Sequence, residues 1–251
     1  MKKTHLIILS LFLTSAIIIT ATVITYKALT VPKSKKYVVE TIEANSKGYI
    51  KVGIISDAQL PQEEKNLYGW DYATVMNGAD HLIKALKYYK SQNVDMIVFN
   101  GDMVNATGDY AAYSAYNKIL DYVYGEDRAE APHIIYPMGN HEFYGGNQEH
   151  NFYKSTGLPL NTRTIVNGYS FISISNSKLE KGDEELAESN DTLADGTYNE
   201  KRIEFLKEQL AAANTEDPNK PIFVFIHMPI SNIVNGGHWA TPQYEEIYSI
   251  L

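Results

Sequence analysis

The chain has 251 residues, 44% hydrophobic and 21% charged, which is enough apolar material for one substantial core and too much for a disordered chain. Its formal net charge of −8 argues against nucleic acid as a partner, because phosphate backbones select basic surfaces. With no cysteine there is neither a disulfide framework nor a thiolate site, so any metal must be held by oxygen and imidazole.

Lys2, Lys3 and His5 precede Leu6–Thr25, an uncharged stretch long enough to cross a bilayer. Residues 1–28 read as an uncleaved membrane anchor, with a cleaved secretory signal as the alternative. Lys27, Lys33, Lys35 and Lys36 after the span favour a cytoplasmic body, whereas its place at the start of the chain favours export. We take the second reading, with the body membrane-anchored or secreted and extracytoplasmic. Residues 29–48 are polar and rich in lysine and read as a linker, so the globular domain is expected over 49–251.

The first expected strand is Ile50–Ser56, followed by a polar loop over Pro61–Tyr72. Val75, Met76, Ala79, Leu82, Ile83, Leu86 and Tyr89 recur at helical spacing, then Met96–Phe99 reads as a strand. Tyr113, Tyr116, Leu120 and Val123 stripe a second helix ahead of a strand at Ile134. Thr164–Val166 and Tyr169–Ile174 flank Asn167-Gly168, a hairpin signal. Leu179–Asp195 is acidic and reads as a solvated loop. Thr197 and Glu200 have capping-box spacing ahead of a helix through Ile203, Leu206 and Leu210. Ile222–Ile226 is the last expected strand, and Thr241-Pro242 reads as the start of a final helix. That helix meets the last residue without a C-cap, which reads as a chain stopping short of the domain's end.

Four of these strands run into polar donors. Ile50–Ser56 leads into Asp57-Ala58-Gln59, Met96–Phe99 into Asn100-Gly101-Asp102, the Ile134 strand into Gly139-Asn140-His141-Glu142, and Ile222–Ile226 into His227. Sheets flanked by helices place ligand sites at such ends. Taken singly, Asp57 and Asp102 are ordinary turn formers and His227 an ordinary core histidine; the ordered set is what points to a metal site. His81, His133 and His150 fit no such set and read as structural or surface. The nineteen tyrosines fall partly on helical core stripes and read as packing. The sequons at Asn105 and Asn190 read as chance matches.

The pieces S-D-A-Q, N-G-D-M-V-N, M-G-N-H-E and F-I-H-M-P, in this order from 57 to 227, resemble the calcineurin-like metallophosphoesterases. The resemblance implies an α/β fold, a four-layer α-β-β-α sandwich of two mixed sheets flanked by helices. It also implies two divalent cations (Mn, Fe, Zn or Mg). Asp57 and Gln59 would hold the first, Asp102 would bridge both, and Asn140 and His227 would hold the second. His141 would face a phosphate-ester substrate as general acid, Glu142 would orient its imidazole, and a hydroxide activated by the two metals would attack phosphorus.

Two positions depart from the family pattern. Gln59 stands where it has His, a harder donor that shifts preference from zinc towards Mn²⁺- or Mg²⁺-like ions. The G-H-x-H that closes the pattern is absent; Gly237-His238 has Ala240 in the second histidine's place, and the motif is expected beyond Leu251. These departures support a rival reading, a non-catalytic surface module with a degenerate metal site.

Overall fold

The computed structural model describes residues 37–44, 48–60, 72–105, 110–143, 148–176, 198–230 and 243–251. The expected span Leu6–Thr25, the loop Pro61–Tyr72 up to residue 71, and Leu179–Asp195 lie outside the described residues. So do Asn190, Thr197, His238 and Thr241-Pro242. Among the described residues no helix is long and apolar enough to cross a membrane.

Among the described residues, seven strands form two sheets: β1 (Tyr37–Ile42), β2 (Val52–Ile55), β3 (Met96–Phe99), β4 (His133–Ile135), β5 (Asn161–Val166), β6 (Tyr169–Ser173) and β7 (Ile222–Phe225). One sheet has the order β2-β3-β4 and the other β1-β5-β6-β7. The second is mixed, antiparallel only at β5–β6, but the first is wholly parallel, a correction to the expectation of two mixed sheets. Parallel neighbours need crossover helices. Here α1 (Tyr72–Gln92) lies between β2 and β3, and α2 (Tyr110–Tyr124) between β3 and β4.

Alternation along the strands sorts the core. Ile97 and Phe99 of β3 join Leu82, Leu86, Tyr113, Tyr116 and Leu120 from α1 and α2. Met96 and Val98, on the other face, pack with Val166 and Phe171 of the second sheet. The far face of that sheet, through Ile172 and Val224, carries α4 (Glu200–Glu216) and α5 (Tyr244–Ile250) by way of Ile203, Leu206 and Ile247. Helices thus cover the outer faces of two sheets whose inner faces meet.

The Asn167-Gly168 turn has φ of 52° and 78°, the two left-handed residues that a type I′ hairpin requires. Two local expectations are corrected, and one helix goes unannounced in the sequence. Residues 37–42, expected in the linker, form β1 in parallel register with β5, within the compact unit Lys35–Leu251. Helix α4 is capped by Asn199, whose side chain accepts from the Arg202 N–H, rather than by Thr197. Helix α3 (Gln148–Thr156) has no apolar stripe to announce it, because Phe152 is the main core residue on a polar segment.

Candidate metal centre

The strand ends that the sequence singles out converge. Ligand-type atoms of Asp57, Asp102 and His227 all lie within 4.8 Å of one another. Past β2 and β3 the two loops stay paired: the Asp57, Gln59 and Leu60 N–H groups donate to Gly101, Asp102 and Met103 at 3.1, 2.9 and 2.9 Å. Asp57, Gln59 and Asp102 all occupy the left-handed region (φ 57°, 47° and 54°), which turns the chain sharply at each. Non-glycine residues rarely adopt it, and such strain concentrates where a side chain must be aimed. Asp57 is exposed and marks the open side, while Asp102 is buried.

Asp102 is the hub. Its Oδ1 accepts from the His141 N–H at 2.9 Å, and its Oδ2 lies 3.1 Å from His227 Nε2 and 3.8 Å from His141 Nε2. His227 Nε2 is also 3.1 Å from Asn140 Oδ1, and Nδ1 is 2.8 Å from the Asn100 carbonyl. Each ring nitrogen thus faces acceptors. Burial opposes the imidazolium, yet the Asp102 carboxylate and the Asn100 carbonyl raise its pKa to about 9. A folded pKa above the ordinary 6.5 stabilises the metal-free chain fully below about 6.5, and that contribution is lost as pH rises through about 9. In chelator, wild type is expected to lose on the order of 3 kcal/mol between about pH 6 and pH 9.5, and His227→Gln far less. Urea unfolding at both pH values checks it; equal losses in the two proteins would refute the assignment.

His141 Nδ1 is 2.5 Å from the Asn105 carbonyl, so Nδ1 carries the proton and Nε2 faces Asp102. The orienting role expected of Glu142 is corrected here. Its oxygens accept from the Asp102, Met103 and Gly139 N–H groups at 2.9, 2.8 and 2.7 Å and from the Tyr136 hydroxyl at 2.7 Å. Glu142 latches the β3 and β4 loops together. Asn105 and Asn100 serve through main-chain carbonyls, for which no residue pattern exists, so sequence reasoning misses both.

The donor set suits divalent cations: two carboxylates, amide oxygens at Gln59 and Asn140, and one imidazole. Gln59 Oε1 and Asn100 Oδ1 are buried without a hydrogen-bond partner among the described residues, and a cation or an ordered water can satisfy a buried oxygen of this kind. His227 fits as well, since Nδ1–H can stay on Asn100 while Nε2 exchanges its proton for a metal.

A profile of the calcineurin-like phosphoesterases matches residues 50–248. No curated protein matches the chain in sequence. Among solved structures it is similar to a dimetal phosphatase from Danio rerio, with 18% identity, a TM-score of 0.59, and coverage of 80% of this chain and 76% of that one. It also matches a protein of Thermus thermophilus, TT1561, at 11% identity and a TM-score of 0.48 over 80% of this chain and 78% of that one. The first likeness supports the fold, and the family match spans most of the chain and the whole candidate site. The chain belongs to the calcineurin-like phosphoesterase family, metal-dependent hydrolases of phosphoric esters.

Proposed function

We propose that the chain hydrolyses phosphoric mono- or diesters with two divalent cations, Asp57 and Gln59 holding one, Asn140 and His227 the other, and Asp102 both. The supporting observation is the single carboxylate of Asp102 set between His227 and His141, with Asp57 beside it. Cations bound there would polarise the phosphoryl group and acidify a water. His141 would hold a proton on Nε2 and pass it to the departing oxygen, while the Asn105 carbonyl keeps its ring in place. The Asn140 amide can donate to the charge that develops on the phosphoryl oxygens. Four oxygen donors to one imidazole favour Mn²⁺- or Mg²⁺-like ions over zinc. Leu6–Thr25 would tether this domain to a membrane, on its extracytoplasmic side.

Hydrolysis of a generic aryl phosphate is expected only with divalent metal present. His141→Ala is expected to lower kcat by about 100- to 10,000-fold with KM little changed. Wild-type activity that survives full chelation would defeat the proposal. The second reading, a non-catalytic binding module, is favoured by the lone imidazole in the Asp57–Asp102–His227 cluster. It predicts at most one weakly held ion and no turnover, so metal content separates the two.

A further inference from the structure

The ligand-bearing loops of the two sheets are joined behind the site by a relay that contains no ligand. Tyr198, just ahead of α4, is buried, and its hydroxyl accepts from the Met228 N–H at 3.3 Å. The same hydroxyl donates to Asn176 Oδ1 at 3.2 Å. Asn176 lies beyond β6, and its N–H donates to the Met138 carbonyl at 2.9 Å. Met228 follows His227, and Met138 precedes Gly139-Asn140-His141. One phenol and one amide therefore span from the β7 loop to the β4 loop.

Each end of the relay is held from outside. The Met138 N–H donates to Ser175 Oγ at 2.8 Å, so Met138 is gripped on both backbone groups. The buried Arg202 guanidinium donates to the Ser175 and Asn176 carbonyls and to the Glu149 carboxylate. Gln243 donates to the Tyr198 carbonyl at 3.0 Å and accepts from its N–H at 3.4 Å. Burial raises the phenol's pKa, so it stays protonated and can donate to Asn176. The Tyr198 ring packs among Ile172, Ile203 and Leu206, whereas its hydroxyl bonds Asn176 and Met228 and also meets the His227 backbone N–H.

From this geometry we infer that Tyr198 and Asn176 are a positioning pair that sets the spacing between His227 and Asn140, and so the fit of the site to its cations. The inference rests on the metal reading above. Groups that orient ligands from behind commonly alter metal affinity by ten-fold or more without touching the ion.

The test is Mn²⁺ titration by calorimetry on the full chain, with unfolding of the metal-free protein measured in parallel. Tyr198→Phe removes the bridging oxygen and keeps the ring; Asn176→Ala removes the acceptor and keeps the backbone bonds. Each is expected to weaken Mn²⁺ binding about ten-fold, and the double variant no more than either single, since both break one relay. Tyr116→Phe, which removes another buried hydroxyl away from the relay, should bind as wild type does. A purely structural role would lower the unfolding temperature and leave affinity alone. Unchanged affinity in the single variants, or losses that add in the double, overturns the inference while the metal reading stands. If Tyr198→Phe does not fold, Asn176→Ala decides alone. A wild-type chain that takes up no Mn²⁺ overturns the metal reading and this inference together.

Discussion

Glu142→Ala is expected to cost at least about 4 kcal/mol of stability and to abolish metal uptake. The carboxylate is fully buried and is the common acceptor for the Asp102, Met103 and Gly139 N–H groups and the Tyr136 hydroxyl. Truncation leaves these four donors in a space closed to water, each orphan costing about 1–3 kcal/mol. Burial, and after it the Asp102 charge, raises the pKa of Glu142, while the Tyr136 hydroxyl and the Asp102 N–H draw it back down. The carboxylate is therefore expensive to keep and more expensive to lose, as for other buried charges stripped of one side of their network. Glu142→Gln preserves the shape but turns one oxygen into a donor facing donors, so an intermediate loss of about 2 kcal/mol is expected. Urea unfolding of the metal-free proteins measures both, and an alanine variant that loses less than about 1 kcal/mol would show that the latch is not needed. Because Asp102 takes its position from this latch, metal affinity should fall even where the folded fraction is held equal.

The chemistry-bearing strand ends are legible in sequence because apolar runs stopping at Asp57, Asp102, Asn140 and His227 carry both a period and a donor type. What the sequence hides has physical causes. The six residues of β1 alternate exposed and half-buried within a lysine-rich surround, so segment-wide composition masks a short period-two pattern. The partner of His141 is hidden because Glu142, adjacent in sequence, looks like the natural one. The 3₁₀ turn over His141–Phe143 sends successive side chains about 120° apart, one towards Asn105 and the next towards Tyr136. The left-handed backbone at Gln59 is equally silent, since Gln, unlike Asp57 and Asp102, is not a residue that announces positive φ.

Gly139→Ala should remove metal binding by crowding alone, without deleting any ligand. A Cβ there would lie 2.2 Å from Asp102 Oδ1, 2.8 Å from Asp102 N and 2.7 Å from His227 Cδ2. None of these can yield cheaply. The Asp102 N–H is pinned to Glu142, Oδ1 accepts from the His141 N–H, and the His227 ring is bonded to the Asn100 carbonyl. The methyl must therefore push apart the two groups whose closeness defines the centre, and a displacement of about 1 Å in a reacting constellation costs on the order of 100-fold. Mn²⁺ affinity and turnover are expected to fall by at least that factor, together with about 1–3 kcal/mol of stability from overpacking. Gly157→Ala is the control that separates strain from crowding. Its φ of 70° puts an alanine in the left-handed region at about 1–2 kcal/mol, but nothing lies within 4 Å of the added carbon. It should be destabilised to a similar degree and still bind metal as wild type does. Should Gly139→Ala bind metal normally, the side chains brought together here would not be the ones that grip it.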